Sequence, residues 1–161
     1  MAVVSDSSPL INLYLIGRFS VLTKLYSSLY IPEAVWKEIT ETTKEVATFF
    51  KQQKEKGFLK VITIPSSSLL RLLLLQLDNG EAEAIALAVE KKALLLLDEK
   101  EGREAARQCG LQVAGVIGIL MKAKKEGLIQ AIKPELIALQ EKGFWIRQEL
   151  FENIIKLENE Y

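Results

Sequence analysis

Four carboxylates, Asp6, Glu38, Glu81 and Asp98, stand where their chemistry depends on what the fold brings beside them. Asp6 follows the short apolar run Ala2 to Ser5. Asp98 follows the uninterrupted apolar run Ala93 to Leu97, which is too short for a helix and reads as a strand buried on both faces. A carboxylate directly after such a strand lies at the carboxyl edge of a parallel sheet, where open α/β folds place their ligand crevice. Glu81 opens a helix, and Glu38 lies beside the apolar stripe of another, so both can flank that crevice. Carboxylates brought together repel and desolvate one another, a cost relieved when a cation binds among them. Magnesium or manganese suits an all-oxygen donor set and keeps several waters, one of which it can activate for attack on a phosphodiester. Each acid also has an ordinary alternative. Asp98 taken singly is more often a cap of the next helix, and Glu38 can be an exposed helical residue paired with Thr42 or solvated.

The rest of the composition narrows the chemistry. There is no histidine, which removes Ser-His-Asp and Cys-His catalysis, histidine general bases and the usual catalytic zinc sites. Cys109 is the only cysteine, so no intrachain disulfide forms and a buried structural thiol is expected. Twenty-one acidic residues balance 21 basic ones, so a nucleic-acid partner must be held by a local patch. Lys100, Arg103 and Arg107 recur at i, i+3 and i+7 and make one basic stripe close to Asp98, suited to a phosphate backbone. The interleaved Glu99, Glu101 and Glu104 equally allow a solvated helix of weak ion pairs. No apolar run approaches the roughly 20 residues of a membrane span. The start MAVVSDSSP has no basic region before an apolar segment, so no secretory signal and a cytoplasmic location are expected.

These residues need a frame, and the stretch NGEAEAIALAVEKKALLLLDE supplies its centre. Asn79 and Gly80 are read as breaking the preceding run, Ala82 to Lys91 as a helix, and Ala93 to Leu97 as the strand that Asp98 ends. Earlier, Ser8 is placed to cap and Pro9 to open a helix through Ile16, Phe19 to Leu25 forms a second, and Ser28 to Ile31 a strand. Pro32 then opens a helix running to about Phe50, with Val35, Ile39, Val46 and Phe50 as its stripe. LKVITI, from Leu59, is the next strand, and Leu69 to Leu77 a helix that is buried or faces a partner, which makes a homodimer an expectation. A helix over Glu99 to Gln108, a strand at Leu111 to Val113 and a helix over Val116 to Lys125 complete an α/β domain of residues 1–127. Residues 128–161 read as a C-terminal helical extension packed on the same domain, with a helix near Pro134 to Lys142, Trp145 packing at the break, and an amphipathic helix from about Gln148.

Several stretches together resemble a known family: VVSDSSPLI from Val3, IPEAVWKEI from Ile31, GEAEAIALA from Gly80, LLLDEKEGREAARQCGL from Leu95 and VAGVIGIL from Val113. In order and spacing they look like the motifs of PIN-domain proteins, more narrowly the prokaryotic branch of nucleic-acid-binding PIN proteins related to VapC-like toxins. The resemblance covers nearly the whole chain, including GFWIRQELFENII near its end. It implies a three-layer α/β/α fold with a central parallel sheet and a Mg²⁺- or Mn²⁺-dependent ribonuclease acting on single-stranded RNA. A toxin role with an antitoxin protein as partner is implied as well. By motif, Asp6 matches the acid after the first strand, Glu38 that of the early helix, Glu81 that opening the central helix, and Asp98 that after the following strand. The resemblance then implies Asp6 and Asp98 as direct metal ligands, Glu81 as a ligand directly or through water, and Glu38 behind them or at a second metal. Glu83 lies roughly 200° round the helix from Glu81, so only one of the two can face the metal, and Glu81 is preferred. Two features depart from the family pattern. Glu99 and Glu101 stand where relatives carry another Asp, and Ala114 and Val116 stand where hydroxyl residues are common.

Ser7 and Ser8 can orient a carboxylate or contact phosphate, although capping is the simpler role. Two other functions share these residues. One is a non-catalytic PIN-like module that binds nucleic acid or protein through Lys100, Arg103 and Arg107, and the other is a phospho-acceptor pocket like that of receiver domains.

Overall fold

The computed structural model describes all residues from Met1 to Tyr161. Its strands are β1 (Val3–Ser5), β2 (Leu29–Pro32), β3 (Leu59–Ile62), β4 (Leu94–Leu96) and β5 (Val113–Ala114). They form one sheet in the order β3-β2-β1-β4-β5, with every neighbouring pair parallel. The chain builds outward from β1 to β3, then returns to the other side of β1 to lay down β4 and β5. Strand order therefore reverses between β1 and β4, and at such a switch point the connections leave in opposite directions and open a crevice at the carboxyl ends. Asp6 and Asp98 follow those two strands.

The helices are α1 (Ser7–Leu15), α2 (Phe19–Leu25), α3 (Glu33–Thr40), α4 (Lys44–Glu55), α5 (Ser68–Leu73), α6 (Asn79–Lys91), α7 (Lys100–Gln108), α8 (Val116–Lys125), α9 (Lys133–Glu141) and α10 (Gln148–Leu157). They flank the sheet in a three-layer α/β/α arrangement. Helix α6 lies against β1, β2 and β4. Its wholly buried Ala82, Ala84 and Ala88 allow a close approach, while Ile85 and Leu87 fill the space between layers. Val4, Leu95 and Leu96 are fully enclosed, as a parallel sheet covered on both faces requires. One continuous core runs through the molecule and includes Ile132, Leu136, Leu139, Ile154 and Ile155 from the C-terminal region. Glu160 ties the end of the chain down, accepting from the Ile132 and Lys133 backbone N–H groups at 2.9 and 2.8 Å and from Lys124 Nζ at 2.6 Å.

Several expectations need correction. The helix expected from Pro32 to about Phe50 is two helices. The Thr42 hydroxyl donates to the Ile39 carbonyl at 2.6 Å, and Thr43 Oγ1 accepts from Val46 N–H at 3.3 Å, so adjacent threonines end one helix and cap the next. Val35, Ile39, Val46 and Phe50 are all buried, but on two helices rather than one. Asn79 and Gly80 belong to α6, because Asp78 caps it by accepting from Glu81 N–H at 2.8 Å. Trp145 does not anchor the break before α10. It is 78% exposed, and Ile146 beside it is the buried residue. Cys109 is half-buried rather than enclosed. The Leu69 to Leu77 helix is shorter than expected, with Leu70, Leu73 and Leu77 in the core and Leu72 and Leu75 in solvent. No helix is long and apolar enough to cross a membrane.

Candidate functional site

Asp6 is the first residue beyond β1 and the N-cap position of α1, and its N–H donates to the Leu96 carbonyl at 2.9 Å, fixing it against β4. It is only 6% exposed, and its Oδ1 is enclosed with no hydrogen-bond partner. Burial, with further contributions from Glu38, Asp78 and Asp98, raises its pKa from 3.8 to about 7, although the Ser7 N–H stabilises the ionised form. Glu81, in the first turn of α6 and 8% exposed, has an enclosed and unpartnered Oε2. Burial and the neighbouring Asp78 and Asp6 raise its pKa from 4.5 to about 7. Burial also raises Asp98 and Glu38.

Asp98 and Glu38 are held by hydrogen bonds. Asp98 Oδ1 accepts from Val116 N–H at 2.7 Å, and Oδ2 accepts from the Ser8 hydroxyl at 3.1 Å, which itself accepts from Asn12 Nδ2 at 3.1 Å. Asp98 thus does cap a helix, but it is α8 and not the next one, α7. Glu38 Oε2 accepts from the Ser7 hydroxyl at 2.7 Å. The simpler capping role of Ser7 and Ser8 is therefore overturned: both hydroxyls orient carboxylates, because α1 begins with its first turn turned toward the acids.

Three glycines make room for the acids. A Cβ on Gly80 would collide with the Glu38 carboxylate. One on Gly102 would lie 2.8 Å from Glu81 Oε2, and one on Gly115 2.8 Å from Asp98 Oδ1. Arg103 faces Asp98 and favours its ionised form, and the guanidinium lies near Gly115 with its Nε enclosed and unpartnered. Lys100 and Arg107 on the same helix are exposed. None of the three basic residues is in an ion pair, because the molecule's salt bridges are Arg18–Glu135, Lys124–Glu158 and Lys124–Glu160. The weak ion pairs with Glu99, Glu101 and Glu104 allowed by the sequence do not form. Glu83 accepts from Ala34 N–H at 3.3 Å and stands beside Glu38, whose pKa its charge helps to raise.

Sequence reasoning missed Asp78, which acts electrostatically on Asp6, Glu38 and Glu81. The signal was present: an aspartate three residues before a glutamate at a helix start is a capping pattern. Asn12 and Gly102 carried no local signal. As arranged, no group of three or more acidic or cysteine side chains is placed to hold a metal ion. The donor chemistry nevertheless suits a hard cation, since two enclosed carboxylate oxygens lack any donor and all available groups are oxygens.

Parallel strands reversing at β1 and β4, with acids at the switch point, define a three-layer α/β/α fold with an acidic crevice at the carboxyl edge of its sheet. The profile of the PIN-domain family DUF3368 matches residues 2–160, and the chain belongs to that family. Among solved structures it is similar to a PilT N-terminus domain protein from the hyperthermophilic archaeon Sulfolobus solfataricus P2. Identity is 16% and the TM-score 0.44, over 76% of this chain and 93% of that one. No curated protein matches the chain.

Proposed function

We propose that this protein is a divalent-metal-dependent endoribonuclease that hydrolyses single-stranded RNA. The observation that supports it is the pair of enclosed, partnerless oxygens, Asp6 Oδ1 and Glu81 Oε2, beside a strand-order reversal. Native structures rarely leave buried acceptors unpaired, and a cation is the partner that two such oxygens have in common. Asp6, Glu81 and Asp98 would hold Mg²⁺ or Mn²⁺, with Glu38 behind them or at a second ion. A bound ion of this kind supplies an activated water and stabilises charge developing on the phosphate. The chain's own groups prepare the site. Ser8 and Val116 N–H aim Asp98, Ser7 aims Glu38, and burial excludes bulk water from Asp6. Arg103, free of any ion pair, is available to a phosphate oxygen, and the exposed Lys100 and Arg107 extend that charge along α7.

The test is Mn²⁺-dependent cleavage of a single-stranded RNA by wild type, Asp6→Asn and Asp98→Asn. Cleavage lost in both variants supports the assignment; folded variants that cut as well as wild type end it. A toxin role is part of the same proposal and is tested by growth arrest on expression, relieved by a cognate antitoxin. The exposed Leu72 and Leu75 offer a face for that partner or for a second copy of the chain.

A second reading, a binding module without turnover, draws on the absence of any three groups placed to hold a metal. It requires salt-dependent RNA affinity through Lys100, Arg103 and Arg107 with no cleavage in any divalent metal.

A further inference from the structure

We infer that a second site, a nucleobase-binding cleft, lies at the end of the molecule opposite the acids. It has a volume of about 540 Å³, within the range of small-molecule sites, and is walled by Tyr14, Phe19, Phe49 and Phe58, with Gln53 and Lys56 also lining it. Tyr14 lies seven residues beyond Ser7 along α1, about 10 Å by helical rise. Phe58 immediately precedes β3, and Phe19 opens α2 before β2 begins, so the cleft sits at the amino edge of the sheet.

Three features point to the ligand. The walls are aromatic and mutually braced, with Tyr14 and Phe49 centroids 4.6 Å apart and Phe19 edge-on to Phe49 at 5.0 Å and to Phe58 at 5.8 Å. Such a lining suits a flat ring. Gln53 is 7% exposed, yet its amide makes no hydrogen bond in the protein. It is also absent from the fully enclosed unpartnered groups, which are Asp6, Glu81 and Arg103, so its polar end opens into the cleft. An amide presents a donor and an acceptor side by side, the complement of a base edge. Lys56 is the sole charged residue in the lining, so a phosphate attached to the ring meets a cation and no carboxylate. An aliphatic ligand would cover the walls but leave the Gln53 amide desolvated and unpaired.

The base can come from a free nucleotide or from a strand of RNA. The strand source rests on the ribonuclease reading, whereas the free-nucleotide source does not. The full chain, ¹⁵N-labelled and kept in EDTA so that no cleavage occurs, is titrated with AMP, GMP, CMP and UMP, with ribose 5-phosphate, and with a mixed single-stranded RNA hexamer. At least one base-bearing probe is expected to give saturable shifts at Tyr14, Phe49 and Gln53, and ribose 5-phosphate none. Gln53→Met, which keeps the side-chain volume, should weaken binding about tenfold, and Lys56→Ala should weaken binding of the mononucleotides but not of adenosine or uridine, titrated alongside them. Shifts with mononucleotides alone assign a free-nucleotide site, and shifts with the hexamer assign a base of the strand. Binding persists in Asp6→Asn, which separates this site from the acids. No saturable cleft shift with any base-bearing probe up to roughly 20 mM, or binding unchanged in Gln53→Met, overturns the inference.

Discussion

Replacing Asp6 by asparagine should stabilise the metal-free protein at pH 8 rather than destabilise it. Burial raises the Asp6 pKa from 3.8 to about 7, so between those values the folded chain holds a proton that the unfolded chain has released. Stability contributed by this group is therefore full below about pH 4, falls as pH rises toward 7, and stays lost above it. A shift of that size corresponds to about 4 kcal/mol at pH 8, at 1.36 kcal/mol per pKa unit. Asparagine carries no charge to bury, but its amide N–H₂ needs an acceptor, a cost of about 1–3 kcal/mol. The net expectation is a gain of roughly 1–3 kcal/mol, or about 2–12 °C in Tm for a chain of this length. Near pH 4 the gain should vanish or reverse. Urea unfolding of both proteins in EDTA at pH 4 and pH 8 measures the difference directly. Equal destabilisation of Asp6→Asn at both pH values would refute the reasoning, as would a stability difference between variant and wild type that does not change from pH 4 to pH 8.

Further expectations follow from the same geometry. Mn²⁺ should raise the wild-type Tm more at pH 8 than at pH 6, because protons compete with the ion for Asp6 and Glu81, each titrating near pH 7. Glu81→Gln should abolish the shift, whereas Glu83→Gln, whose carboxylate is occupied by Ala34 N–H, should keep it; the reverse result would exchange their roles. Gly102→Ala should cost about 1–3 kcal/mol by chemical denaturation and reduce RNA cleavage, since the new Cβ would fall 2.8 Å from Glu81 Oε2 and 2.9 Å from Leu97 Cδ2. Arg18→Met should leave the buried Glu135 unpaired and destabilise by about 1–3 kcal/mol, toward the lower end because Arg18 is half-exposed, with cleavage unchanged.

Much of the frame was legible because it rests on local rules. Alternation-free apolar runs located β1 and β4, the breaks at Gly115 and Gly127 located α8, and α2 lies where the sequence placed it, at Phe19 to Leu25. The same rules put Asp6 and Asp98 at the sheet edge, since a residue after a buried parallel strand has nowhere else to be. Local rules failed where two of them competed. Thr42 and Thr43 broke a continuous apolar stripe by bonding the backbone, and Trp145, large and apolar, stayed in solvent while Ile146 took the buried place.

By itself the sequence determined which chemistry was available: no histidine, one cysteine, carboxylates after strands, and a basic stripe on α7. Only the tertiary structure decided how those groups are held. Ser8 meets Asp98 across 90 positions and Ser7 meets Glu38 across 31. Gly102 admits Glu81 from a different helix, and burial moves two carboxylates to about pH 7. The physical reason is range. Propensity and periodicity act within a turn or a strand, whereas desolvation and side-chain pairing are set by neighbours that only a folded chain brings together.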